Sequence, residues 1–241
     1  MFVHPERRRV YLMRHAEAQY VLPDGTLAPD ERLVPLTARG REQAASQARA
    51  LSGIQFDRAI CSGLPRTMET AGIILDAHPG IELEVASEME EIHPGSDFDL
   101  SDLTEAEQAA VLKGIANPWA EAIDPEHRFL GGERFGDFAT RVLPTWEAIL
   151  ADRSWNTLLL VLHGAVNRLL LNHVLNTPWQ AGVSIEQDNA CLNIIDVDHA
   201  PEQRSLLRLV NFTNYSLNKE GIWLTNLEQT AARMAEDLKG G

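Results

Sequence analysis

A chain of 241 residues, 44% apolar and 23% charged, is long enough to bury one substantial core and has the composition of a globular protein. Its 21 basic against 35 acidic side chains give a net charge of -14, which argues against nucleic acid or an anionic membrane as a partner. Any phosphate site must therefore be a local positive pocket inside a negative envelope.

The start, M-F-V-H-P-E-R-R-R, has too short an apolar run for a signal peptide, and no stretch reaches the length of a membrane span. Residues 9–13 suit a buried β-strand that ends on the adjacent pair Arg14 and His15. A loop with Pro23, Gly25 and Pro29 follows. Thr37 is a good N-cap for a helix through Ala44, Ala48 and Leu51, which Gly53 ends. Residues 56–61 read as a second strand. Pro65 then fits the first turn of a helix to Leu75, with Met68, Ala71 and Ile74 on its apolar face. Residues 81–85 make a short third strand.

From 88 to 134 the pattern loosens around a short helix over 103–115, then Asn117-Pro118 and Gly131-Gly132. This stretch, about 93–135, reads as a helical lid inserted over the sheet's carboxyl edge. A helix over 135–150 follows. The apolar strand T-L-L-L-V-L at 157–162 is expected at the sheet's centre, with a helix from Gly164 to Leu175 behind it. Residues 190–197 and 206–212 read as an antiparallel pair at one edge, and 224–238 as a tail helix. Strands alternating with helices indicate one domain over 1–241, a three-layer α/β/α sandwich with a mostly parallel sheet. The hairpin and the tail are places where a homodimer could form. Cys61 and Cys191 read as buried free thiols, since two distant cysteines do not make a zinc site. A cytoplasmic setting is expected.

Four places put cationic, imidazole or carboxylate groups past a strand or at a helix start: Arg14-His15, Arg66, Glu91 and His163. In a parallel sheet these points fall on one edge. Two arginines and two histidines there would form a cationic pocket for a phosphoryl group, gripped by guanidinium forks. The helix starting at Gly164 could add backbone N–H groups and the positive end of its dipole. Each residue also has a bland reading: a solvated loop for Arg14-His15, a helix ion pair with Glu69 for Arg66, a core histidine for His163. Glu88 and Glu90 compete with Glu91. His4, His78, His127 and His199 are expected at the surface. Trp119, Phe129 and Trp155 are expected to pack rather than stack on a substrate.

Taken in order, L-M-R-H-A-E, L-T-A-R-G-R-E-Q-A at 36–44, S-G-L-P-R-T-M-E-T-A at 62–71, E-I-H-P-G at 91–95 and L-V-L-H-G-A at 160–165 resemble the histidine phosphatase superfamily, the phosphoglycerate mutase-like group. Ala16 replaces the usual glycine. The resemblance implies a metal-independent phosphatase that hydrolyses a small phosphomonoester. His15 would carry a phosphohistidine, Glu91 would donate the proton, and Arg14, Arg66, His163 and Gly164 would hold the phosphate. No cofactor or metal is called for. Phosphoglycerate mutase-type transfer, a catalytically idle phospholigand-binding protein, and a metallohydrolase using His15, His93 and His163 stand as alternatives.

The chain departs from the family at Val21, where many members place a phosphate-contacting asparagine, leaving Thr26 and Arg32 as substitutes. Between Asp97 and Glu126, Lys113 is the only basic residue among eight acids, so the lid should repel a polyanion. Hydrolysis therefore outranks mutase chemistry, on a substrate with modest or even positive charge away from its phosphate.

Overall fold

The strand expected at 9–13 runs from Arg7 to Arg14 (β1), and its side chains alternate between two apolar clusters on opposite faces of the sheet. A computed structural model describes residues 7–22, 28–95, 103–122, 124–178, 182, 184–198 and 205–240. The other strands are β2 (Arg58–Cys61), β3 (Leu83–Val85), β4 (Thr157–Leu162), β5 (Leu192–Asp198) and β6 (Ser205–Phe212). They form one sheet in the order β3-β2-β4-β1-β5-β6. The first four are mutually parallel, while β5 runs antiparallel to β1 and β6 to β5. The apolar strand β4 lies between β1 and β2, and five of its six residues are buried, as a strand covered on both faces requires.

Six α-helices accompany the sheet: α1 (Ala38–Leu51), α2 (Pro65–Leu75), α3 (Glu105–Ala116), α4 (Phe135–Ala151), α5 (Gly164–Leu175) and α6 (Asn226–Gly240). Val10, Leu12, Leu158, Leu160 and Leu162 face α4 and α5, meeting Phe138, Val142, Trp146, Val166 and Leu170. Tyr11, Met13, Leu159 and Val161 face the other way, onto Leu51 of α1 and Ala71 and Ile74 of α2. The period-2 alternation of the central strands thus builds a three-layer α/β/α domain. Among the described residues, no helix is long and apolar enough to cross a membrane.

One sequence expectation changes. His78 is buried, 8% exposed, with its ring edge-on to Phe56 at 4.9 Å; it closes the end of α2 against the sheet. The 3.6-residue pattern could not show this, because His78 lies just past the helix. His127 is exposed as expected, and His4 and His199 lie outside the described residues. The tail helix α6 forms as expected and packs on α3. Trp155 is a packing residue as expected, buried beneath the Arg8 guanidinium at 4.3 Å.

Candidate active site

β1, β2 and β4 are parallel, so their carboxyl ends deliver Arg14, Ser62 and His163 to one edge of the sheet. His15 follows β1 and is 1% exposed. Its Nδ1 lies 2.7 Å from the Ala16 carbonyl, which can only accept, so Nδ1 carries the proton and Nε2 keeps its lone pair. The backbone holds this residue from several sides. Ala16 N–H donates to Thr70 Oγ1 at 3.0 Å, and Glu17 N–H donates to Gln43 Oε1 at 3.0 Å. Helix α1 reaches that loop through Gly40, where any Cβ would lie 2.1 Å from the Glu17 carbonyl oxygen. Thr37 caps the same turn by accepting from Gly40 N–H at 2.9 Å. The 36–44 segment is therefore the brace of the His15 loop.

Burial pushes the His15 imidazole well below its usual pKa, and the charges of Arg66 and Arg14 push it further the same way. Each arginine is anchored at one end. Arg14 Nη1 donates to Gln187 O at 2.6 Å, and Arg66 Nη1 donates to Glu31 O at 2.9 Å. The Nε of each is buried without a partner. Donors of this kind are costly to leave unmet, and an anion bound between them would satisfy both.

His163 is fully buried at the N-cap of α5. Thr67 Oγ1 donates to Leu64 O at 2.8 Å, so the Ser62 hydroxyl must donate to Thr67 (3.0 Å) and accept from His163 Nε2 (2.7 Å). That chain fixes the ring with Nε2 protonated and leaves Nδ1 buried without a partner. The His15 and His163 rings stand edge-to-face with centroids 5.3 Å apart. Burial, Arg66, His15 and Arg14 all favour the neutral form of His163.

Glu91 is brought in by the chain after β3. Both its carboxylate oxygens lie 3.2 Å from the Ala165 N–H at the start of α5. Its rivals are placed elsewhere: Glu88 is exposed, and Glu90 takes both oxygens to Arg32 Nη2, at 2.7 and 3.0 Å. Arg32 is thereby committed to Glu90, and Thr26 lies outside the described residues. A residue the sequence reading missed sets the loop. Arg141 of α4 donates to the carbonyls of Glu88 (2.8 Å), Glu90 (3.0 Å) and Glu91 (3.3 Å), and its guanidinium pairs with Glu133 at 2.9 Å. Glu133 in turn accepts from His93 N–H at 3.1 Å. The His93 ring faces Glu90 at 3.7 Å. Among the described residues, no three His, Cys, Asp or Glu side chains are arranged as a metal ligand set.

A second missed residue is Arg168, 8% exposed, whose guanidinium lies over the Trp119 ring at 5.2 Å. An arginine among Leu169, Leu170 and Leu171, in a helix with no other arginine, lysine or carboxylate, is the signal that could have found it. Arg14, Glu91, Gly164, Trp119, Phe129 and Arg168 line one cavity. Trp119 and Phe129 are packed, as expected, with ring centroids 5.4 Å apart, and they also form part of that wall.

The family model for the histidine phosphatase superfamily (branch 1) matches residues 10–211. The chain belongs to that superfamily. Its members similar to this one include the adenosylcobalamin/alpha-ribazole phosphatase of Escherichia coli (strain K12), 30% identical over 206 residues, covering 84% of this chain and 95% of that enzyme. A 2,3-bisphosphoglycerate-dependent phosphoglycerate mutase of Caulobacter vibrioides is 27% identical over 215 residues, covering 78% of this chain and 89% of the mutase. Among solved structures, the alpha-ribazole phosphatase of Shigella flexneri superposes with a TM-score of 0.67 at 27% identity, covering 84% of this chain and 96% of that one. Superfamily membership makes phosphoryl chemistry on a small phosphorylated substrate the frame for reading the four convergent residues.

Proposed function

We propose that this protein is a metal-independent phosphomonoesterase working through a phosphohistidine on His15. The observation that carries the reading is the tautomer of His15: Nδ1–H is spent on the Ala16 carbonyl, and Nε2 is a lone pair beside two arginines with unmet Nε donors. A nucleophilic imidazole must be neutral, and burial with two neighbouring cations favours that form.

In the first step Nε2 of His15 bonds to phosphorus as the ester P–O bond breaks, and Glu91 supplies the proton that the departing alkoxide takes up. Arg14, Arg66 and the N-terminus of α5 at Gly164 hold the phosphoryl oxygens, where charge accumulates in the transition state. His163 faces this charge with Nδ1; a bound phosphate dianion reverses the field of the arginines and favours imidazolium, which then donates from both nitrogens. In the second step the Glu91 carboxylate takes a proton from water, whose oxygen attacks the phosphohistidine. Inorganic phosphate and free His15 result.

Phosphate release from p-nitrophenyl phosphate in excess chelator, with His15→Ala as control, tests the reading. Chelator-resistant turnover that vanishes in a folded His15→Ala protein is expected. Turnover abolished by chelator, or retained in the variant, would overturn it.

A further inference from the structure

The cavity that opens beside Arg14, Glu91 and Gly164 is lined in part by a segment that the family match does not cover. Its volume is about 220 Å³, below the roughly 300–1,000 Å³ of sites for drug-sized ligands. One end is the phosphate edge with Arg14, Glu91 and Gly164; the other is closed by the first turn of α6, residues 225–228. The family match ends at residue 211, so this wall lies outside the matched residues. It is a built wall. Thr225 N–H donates to Glu228 Oε2 at 2.8 Å and Glu228 N–H donates to Thr225 Oγ1 at 3.1 Å, a reciprocal capping box, and α6 rests on α3.

The charges at this end have a definite sense. Arg168, more than nine-tenths buried, uses Nε on the Ile185 carbonyl (2.8 Å) and Nη2 on Glu186 (3.1 Å). Its Nη1 has no hydrogen bond among the described residues and would lie 3.4 Å from a Cβ on Gly164, beside the phosphate edge. Glu186 and Glu228 both line the cavity, so beyond the phosphate-holding groups one guanidinium faces two carboxylates. Ala116, Trp119, Phe129 and Leu227 give the rest of the lining its apolar part, beside the uncharged polar Asn117, Thr225 and Asn226.

We propose that this cavity is the leaving-group subsite, and that the first turn of α6 makes it select phosphomonoesters of small, largely apolar alcohols that carry no second anionic group. Arg168 Nη1 donates to an oxygen of the alcohol near the ester bond. A second phosphate or a carboxylate would meet Glu186 and Glu228 in a partly dehydrated chamber, where like charges are weakly screened. The inference rests on the phosphatase reading above.

The test compares kcat/KM for glycerol 3-phosphate with that for 3-phosphoglycerate, which puts a carboxylate where the former has a hydroxymethyl group. The wild type is expected to favour glycerol 3-phosphate by about tenfold or more. In Glu228→Gln, which keeps an N3 capping partner but removes the charge, the ratio should narrow by about threefold or more. Leu227→Trp, which fills the far end, should lower kcat/KM for benzyl phosphate more than for glycerol 3-phosphate. An active wild type that prefers 3-phosphoglycerate, or a ratio unmoved by Glu228→Gln together with equal losses in Leu227→Trp, would overturn the subsite alone. A wild type inert toward every ester would overturn the phosphatase reading and the subsite with it.

Discussion

The two site histidines are sealed in, at 1% and 0% exposure, and this makes the pocket a pH-sensitive element of stability. An unfolded imidazole takes up a proton near pH 6.5. In the fold, burial and the arginines keep His15 and His163 neutral well below that, and burial lowers His78 as well. Below pH 6.5 the unfolded chain therefore binds more protons than the native one, and stability falls as pH falls. The slope approaches about 1.4 kcal/mol per pH unit for each histidine. Denaturant titrations at pH 7.5 and 5.5 should show this loss, and His163→Gln should reduce it by one histidine's share. An undiminished slope in that variant would place the titrating groups elsewhere. Glu91 makes a separate prediction. General acid help is worth about 10²–10⁴-fold, so Glu91→Gln should cost about that much on alkyl phosphates. It should cost far less on p-nitrophenyl phosphate, whose leaving group needs little protonation. Equal losses on both would remove Glu91 from the role.

At the scale of elements, the loop that carries Glu91 owes its placement to α4. Arg141 ties the carbonyls of Glu88, Glu90 and Glu91 and the Glu133 carboxylate into one clamp, and Gly132 lets the 93–95 segment approach closely, with the His93 carbonyl 2.2 Å from where a Cβ would sit. Arg141→Met should leave the sheet intact while costing about 1–3 kcal/mol of stability through the unmet carbonyls. Its kcat should drop more on alkyl esters than on p-nitrophenyl phosphate, the leaving-group signature of a displaced acid; a uniform drop would indicate a general loss of packing. This clamp also explains what could be read in the chain. β4, α2 and α5 begin and end where the sequence places them, because their apolar periodicity is strong and Pro65 and Gly164 mark the starts. Arg14, His15, Arg66 and His163 could be read as a group because each sits at the edge of an element: Arg14 ends β1, His15 follows it, Arg66 is second in α2 and His163 follows β4. Arg141 could not, since its partners are mostly backbone carbonyls some fifty residues away, and an arginine within a helix reads as a solvated face. Contacts to main chain leave no trace in side-chain spacing. The sequence favoured Glu91 over Glu88 and Glu90 without showing what separates them in space: Glu90 pairs with Arg32, while Glu91 reaches the N-terminus of α5.

Over the whole molecule, a cationic pocket sits within a surface of net charge -14. A dianionic ester must cross the outer field before it feels Arg14 and Arg66. The outer field comes from exposed charges and is screened over about 8 Å at 0.15 M salt, whereas the buried arginines act at contact and are screened much less. Added salt should therefore weaken the repulsion first. Between about 10 and 150 mM ionic strength, kcat/KM for p-nitrophenyl phosphate should rise. Meanwhile kcat, which reports steps after binding, should stay nearly constant. A neutralised lid should flatten the effect: with Glu105 and Glu107 of α3 both changed to glutamine, the salt dependence should shrink. The Thr104 cap keeps a glutamine partner at its third helical position in that variant. If kcat/KM instead falls steadily with salt in the wild type, the pocket's own field dominates at long range. The acidic lid would then contribute nothing to how the substrate arrives.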